Sequence, residues 1–105
     1  MEMLNRVELA GRVGNARVQV VGNTKVCRFS LATDRVYTDR DGNQVIETTW
    51  HQCQVWGSDE RLEGIQKGAA VKVTGRLRNY RYTGPDGAER TGTEIWVGSF
   101  EVLEG

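Results

Sequence analysis

The chain has 105 residues, of which 38% are hydrophobic and 27% charged, and its 14 basic and 14 acidic side chains cancel at neutral pH. This length fits one domain with a modest core, and the composition excludes a disordered chain. Because the apolar runs are too short to span a membrane and the first residues do not form a secretion signal, we expect a cytoplasmic protein with no membrane partner.

Alternation of apolar and polar residues predicts five strands along the chain. The first strand covers Val7–Val13 and continues from Asn15 to Val21 beyond a bend at Gly14. The other four cover Cys27–Leu31, Thr48–Trp56, Ala70–Tyr82 and Thr93–Val102. Turn residues lie between successive strands at Gly22-Asn23, Asp41-Gly42-Asn43 and Gly84–Gly87.

One short helix is predicted at Ser58–Gln66, between the third and fourth strands. A serine at its start can cap it, acidic residues occupy its first turn, Leu62 and Ile65 share a face, and Lys67-Gly68 ends it. The order of three strands, one helix and two strands is that of an OB fold. We therefore predict an all-β chain that forms a five-stranded OB barrel, with an SH3-like or other small barrel as the competing fold.

The sequence contains no recognisable metal, cofactor or catalytic motif. Cys27 and Cys53 lack CxxC spacing, and with the single histidine, His51, they cannot complete a four-ligand zinc site. Asp39 and Asp41 resemble only the start of a calcium loop. Because paired catalytic groups, a P-loop and a dinucleotide fingerprint are also absent, we expect no cofactor and no enzymatic activity.

The charges are unevenly distributed along the neutral chain. No acid lies between Glu8 and Asp34, where there are four bases, and none lies between Glu63 and Asp86, where there are five. The segment between these basic zones is acidic. Local potential, more than net charge, can therefore guide an anionic ligand to this protein.

The third strand separates its side chains into two faces, because alternate residues of a strand point to opposite sides. One face carries Trp50, Gln52, Gln54 and Trp56, and the other carries His51, Cys53 and Val55. The face with cysteine and valine suits the barrel interior, so we expect the tryptophans and glutamines to point outward. Exposed large aromatic residues usually mark a contact site.

The fourth strand separates in the same way. We expect Val71, Val73, Gly75 and Leu77 to point inward, and Lys72, Thr74, Arg76, Arg78, Tyr80 and Tyr82 to point outward if no bulge intervenes. Basic groups can meet phosphates, and aromatic rings can stack on bases of any sequence. This face therefore suits single-stranded nucleic acid, since a duplex hides its base faces within its own stack.

Several segments together resemble the bacterial single-stranded DNA-binding protein (SSB) family. They are Asn5–Gly14, Phe29–Thr33, Thr49–His51, Val55–Gly57, Lys67-Gly68 and Gly75–Arg78, in order and at fitting spacing along nearly the whole chain. The resemblance implies an OB fold, commonly four folds per assembly, and sequence-independent wrapping of single-stranded DNA. It also implies base stacking at Tyr37, Trp50, Trp56 and Tyr82, with tyrosine at the first and last positions, where the family frequently has tryptophan.

We therefore predict a single domain, residues 1–105, that binds and protects single-stranded DNA in replication, recombination and repair. The candidate DNA-binding residues are Tyr37, Trp50, Gln52, Gln54, Trp56, Lys72, Arg76, Arg78, Tyr80 and Tyr82. A homo-oligomer, most often a tetramer in such proteins, is the expected assembly. Relatives usually continue into a flexible tail with an acidic tip, whereas this sequence stops at Gly105, so no tail-mediated protein partners are expected.

Other interpretations stay open from the sequence. The chain could be an SSB-like accessory factor of replication restart, or an oligomeric OB module that binds proteins or sugars. The basic residues of the fourth strand could form only a solvated face. Trp96 is expected in core or interface packing, and His51 is expected as a buried or interface histidine that forms hydrogen bonds.

Overall fold

Five strands and one short helix make up the protein in the computed structural model, which describes residues 1–105. The elements are β1 (Val7–Val21), β2 (Thr24–Thr38), β3 (Gln44–Gly57), α1 (Asp59–Leu62), β4 (Ala70–Thr83) and β5 (Glu89–Glu104). Hydrogen bonds join the strands into a closed barrel in the order β1-β2-β3-β5-β4. The prediction of an all-β, five-stranded barrel with one helix between the third and fourth strands is confirmed. Its one helix lacks the length and apolar character needed to cross a membrane.

The helix is shorter than predicted, since it ends at Leu62 and not at Gln66. Ser58 caps its start by accepting a hydrogen bond from the backbone of Arg61. Beyond Leu62 the chain passes close to β5. A Cβ added at Gly64 would lie only 2.6 Å from a methyl group of Val102. The backbone N–H of Ile65 donates to the carbonyl of Leu62, and that of Ala69 donates to the carbonyl of Gln66, so this segment continues to β4 through turns tighter than those of an α-helix.

The barrel interior is filled by the apolar residues of one face of each strand. The buried cluster includes the predicted inward residues Cys53, Val55, Val71 and Val73, and it also includes Cys27, Phe29 and Leu31 of β2. Burial raises the pKa of the Cys53 thiol to about 12, and burial also raises the pKa of Cys27. Both cysteines are free thiols in the core. Half-buried His51 shares a hydrogen bond of 2.8 Å with the hydroxyl of Thr33.

The prediction that Leu77 points into the core is wrong, because its side chain is 49% exposed. Pairing between β1 and β4 ends at Val7 and Gly75, so no third strand covers β4 at Leu77. The side-chain amide of Asn5 instead closes this edge, accepting from the Leu77 backbone N–H and donating to its carbonyl.

Two hairpins extend beyond the barrel as two-stranded arms. The β2–β3 arm, residues 34–48, keeps its pairing to Thr38 and Gln44, and the β4–β5 arm, residues 77–94, keeps its pairing to Thr83 and Glu89. The strands are therefore longer than the alternation alone predicted. The arms add length to a small barrel, and the molecule measures 54 × 39 × 39 Å.

Candidate nucleic-acid interface

The outer face of β3 carries the two predicted tryptophans. Trp50 is 57% exposed and Trp56 is 37% exposed, with exposed Gln52 between them. The register of β3 with β2 is uninterrupted, so all three side chains lie on the same face. The two rings are six residues apart, or about 20 Å along the strand at ~3.3 Å per residue. A ligand that contacts both rings must therefore extend over about this distance.

Trp50 lies against a bulge in β1. Gly14 and Asn15 together lie opposite the single residue Ser30, whose hydroxyl accepts from the Asn15 backbone and donates to the Asn15 side chain. A Cβ added at Gly14 would lie only 2.4 Å from the Trp50 ring. The ring therefore rests on the bulge, and glycine is needed there for the ring to approach so closely.

Trp56 differs from Trp50 because it covers a buried residue. It lies directly opposite Val26, which is fully buried yet lies outside the barrel interior. Arg61 holds this end of β3, since its guanidinium donates to the carbonyl oxygens of Trp56 and Gly98 at 2.7 Å each. Trp56 therefore has a packing role in addition to its exposed surface.

The prediction that Gln54 points into solvent is wrong, because only 5% of it is exposed. It has the parity of the tryptophans, but β5 runs parallel to β3 at this point and pairs Gln54 with Trp96. The Gln54 amide donates to a carboxylate oxygen of Glu94 at 3.0 Å, and the Trp96 indole donates to the same oxygen at 2.8 Å. The amide oxygen of Gln54 is buried without a hydrogen-bond partner.

Arg76 and Arg78 lie over the ring of Trp96 on the outer face of β4 and β5. Their guanidinium carbons are 5.3 and 4.0 Å from its ring centroid. Neither arginine has a carboxylate partner within 4 Å. Half-buried Trp96 therefore orients two guanidinium groups whose charges are available to an anion.

Tyr80 and Tyr82 continue this face along the β4–β5 arm. Their ring centroids are 5.9 Å apart, and Tyr80 covers Gly92 on the opposite strand, where a Cβ would lie 2.4 Å from its ring. Both rings are exposed. The outward positions predicted for Arg76, Arg78, Tyr80 and Tyr82 are confirmed.

Two predicted residues lie apart from this surface. Tyr37 pairs with Val45 on the face of the β2–β3 arm opposite to that of Trp50, and its ring contacts the guanidinium of Arg35. Lys72 is exposed, as predicted, but it lines a separate depression next to Glu101. The structure therefore does not bring Tyr37 or Lys72 together with the tryptophans.

Three depressions in the outer surface meet at Gln52, and we call them the Gln52 groove. One contains Trp50, another contains Tyr80 and Glu94, and the largest, of about 470 Å³, contains Arg17 and Arg28. Four residues that line this groove were not predicted from the sequence, namely Asn15, Arg17, Arg28 and Ser30. The sequence did contain a signal for two of them, because a two-residue turn at Gly22-Asn23 sets a strand register in which Arg17 lies opposite Arg28.

The closed barrel and the groove define the class of this protein: an OB barrel whose outer surface combines exposed aromatic rings with unpaired guanidinium groups. The profile described as the single-strand binding protein family matches residues 4–103. The chain therefore belongs to the single-strand binding protein family.

Sequence relatives agree with this assignment. The chain is 36% identical over 106 residues to a single-stranded DNA-binding protein of Neisseria meningitidis, covering 97% of this chain and 61% of the relative. It is 35% identical over 111 residues to a mitochondrial single-stranded DNA-binding protein of Mus musculus, covering 95% and 73%. The chain thus spans less than two thirds of the length of the Neisseria relative.

Solved structures share the fold. A Plasmodium falciparum SSB in complex with ssDNA superposes with a TM-score of 0.85 at 27% identity, covering 99% of this chain and 98% of the other. A deletion mutant of the single-stranded DNA binding protein of Thermus aquaticus superposes with a TM-score of 0.78 at 23% identity, covering 97% and 51%. The second likeness concerns the fold alone.

Proposed function

We propose that this chain binds and protects single-stranded DNA independently of sequence. The observation that carries the proposal is the outer face itself, where Trp50, Trp56 and Tyr80 are exposed and Arg76 and Arg78 have no carboxylate partner. Family membership and the likeness to an SSB in complex with ssDNA support it.

The proposed mechanism has two parts. Bases stack on the exposed rings, and each such contact contributes about 1 to 3 kcal/mol whatever the base, because every base has a π face. Phosphates meet guanidinium groups and release counterions, which makes binding weaker as salt increases. No bond is made or broken, so the proposed function is not enzymatic.

The rings favour a single strand over a duplex. Trp50 is 57% exposed, and its ring can stack only on a base whose face is free. A duplex presents phosphates but keeps its base faces stacked on each other. A duplex therefore offers its phosphates to the arginines but offers the rings no base to stack on.

We also propose that residues 1–105 act as one binding domain in the cytoplasm and that the chain assembles as a homotetramer. Exposed apolar side chains at Leu4, Val102 and Leu103 provide surface for association. Several copies of the outer face would raise the effective concentration of sites along one strand. Light scattering should give a mass near four times 11.8 kDa, and a monomer mass at micromolar concentration would contradict this part of the proposal.

Titration of tryptophan fluorescence with oligo(dT) at several salt concentrations tests the proposed function. We expect quenching that saturates, an affinity that falls with salt, and much weaker binding to a duplex of equal length. An OB module for proteins or sugars would show no quenching, and that result would overturn the proposal. An accessory factor of replication restart would also bind oligo(dT), so pathway assignment requires functional complementation.

A further inference from the structure

Arg17 and Arg28 are directly opposite each other in the β1–β2 ladder. Residues paired in this way project their side chains to the same side of the sheet, within contact range. Both are exposed, and both line the largest depression of the Gln52 groove. Two positive charges are therefore held next to each other on the candidate binding face.

Neither arginine of this pair forms an ion pair. The one acidic residue that lines the groove, Glu94, shares a depression with Arg28 but accepts hydrogen bonds from Gln54 and Trp96. Neither guanidinium has a carboxylate within 4 Å, and residues 9–33 contain no acid at all. The one side-chain partner of Arg28 is neutral, since its guanidinium donates to the amide oxygen of Gln19 at 2.8 Å. Like charges directly opposite on paired strands destabilise a sheet. An anion between them would remove this repulsion.

The depression around this pair connects to the aromatic positions. It shares Asn15 and Gln52 with the depression at Trp50, and it shares Arg28 and Gln52 with the depression at Tyr80. A strand whose bases stack on Trp50 and Tyr80 would pass the arginine pair on its way between them. Its backbone carries the anion that the pair lacks.

We propose that Arg17 and Arg28 form a phosphate clamp for the backbone of a single strand, at the branch of the groove between Trp50 and Tyr80. This inference rests on the proposed function. Guanidinium groups suit the role because their planar N–H donors match phosphate oxygens in pairs, which an ammonium group cannot do. The hydrogen bond that Arg28 donates to Gln19 fixes one of the two groups before the strand arrives.

The clamp makes binding and stability change in opposite directions, which separates it from a merely structural role. The Arg17→Gln and Arg28→Gln variants and the double variant are compared with the parent in oligo(dT) titrations from low to high salt. We expect the double variant to bind about tenfold more weakly at moderate salt. The slope of log K against log salt should flatten by about 0.7, the value for one phosphate contact on a single strand.

The free double variant should in turn be more stable than the parent. Relief of the repulsion should raise its Tm at low salt by about 1 to 4 °C, and the gain should disappear at high salt, where charges are screened. Arg81→Gln is the matched control, because Arg81 is an exposed arginine that already pairs with Glu89 at 3.3 Å. It should leave the slope unchanged and should not raise the Tm.

The results of these experiments test the clamp separately from the proposed function. A parent that binds oligo(dT) while the double variant shows the same affinity and slope overturns the clamp and leaves the proposed function standing. A double variant with reduced Tm also overturns it, because the arginines would then be supporting the sheet. A parent that does not bind oligo(dT) overturns the proposed function and the clamp together.

Discussion

Replacement of Gly14 by alanine tests whether the bulge in β1 places Trp50 for binding. The added Cβ would lie 2.4 Å from one ring carbon of Trp50, 2.8 Å from another, and 2.8 Å from the Ser30 hydroxyl. Ordinary contacts between carbon atoms are about 3.5 to 4.0 Å, so the ring must move by about 1 Å or more. The backbone of Gly14 is not left-handed, so alanine adds no backbone strain there.

The structure predicts a loss of affinity with little loss of stability. Stacking of one base on an aromatic side chain contributes about 1 to 3 kcal/mol, and a displaced ring should lose a large part of it. We expect Gly14→Ala to weaken oligo(dT) binding by about 1 to 2 kcal/mol, which is roughly 5- to 30-fold. The exposed ring can swing outward, and alanine restricts the unfolded chain, so the free energy of unfolding should change by less than about 1 kcal/mol.

Gly98→Ala provides the matched control, because a Cβ there meets only the Thr74 carbonyl oxygen at 3.7 Å. Oligo(dT) titration and urea unfolding of both variants separate binding from stability. The reasoning is refuted if Gly14→Ala shifts the Trp50 emission yet binds like the parent. It is refuted equally if Gly98→Ala weakens binding to the same extent.

Three further predictions concern the tryptophans, Arg76 and a core thiol. Trp50→Ala and Trp56→Ala should each weaken oligo(dT) binding by about 1 to 3 kcal/mol, and the two losses should be nearly additive. Only Trp56→Ala should also lower the free energy of unfolding in urea, by about 2 kcal/mol, because it uncovers Val26. Equal stability losses in the two variants would contradict the packing role of Trp56. Arg76→Gln should flatten the salt slope by about 0.7 while the quenching at saturation stays unchanged, and an unchanged slope would remove Arg76 from the phosphate contacts. Cys53, with its pKa raised to about 12 by burial, should resist a thiol reagent at pH 8 until urea unfolds the chain. Between about pH 8.5 and 12 the thiol ionises in the unfolded chain but not in the folded one. The contribution of buried Cys53 to the free energy of unfolding is therefore complete below this pH range and declines as pH rises through it. Urea titrations at pH 7.5 and 9.5 can measure the decline.

The sequence predicted faces well where one side of a strand covers the barrel interior and the other side stays uncovered. Cys53 and Val55 are buried and Trp50 is exposed, as alternation requires. Alternation failed where tertiary neighbours change along a strand. Gln54 is buried because β5 crosses beside it, and Leu77 is exposed because β1 has ended.

The candidate site depended on pairing information that alternation does not contain. Tyr37 matched a family position, but the uninterrupted register of β2 with β3 places it on the face opposite to Trp50. Arg17 lies next to Arg28 only because the register of β1 with β2 places these two residues opposite each other. Side-chain periodicity within one strand says which face a residue occupies and nothing about what faces it across the ladder.

The parallel contact between β3 and β5 consists of two residue pairs, Cys53 with Ile95 and Gln54 with Trp96, whereas the antiparallel ladders are much longer. It is the seam of the barrel, and the Gln52 groove crosses it from Trp50 on β3 to Tyr80 on the opposite arm. A polymer attached at both of these positions would span the seam from outside and oppose its separation under mechanical or thermal stress. The bound strand would then stabilise the barrel at the place where its own strands share the fewest hydrogen bonds.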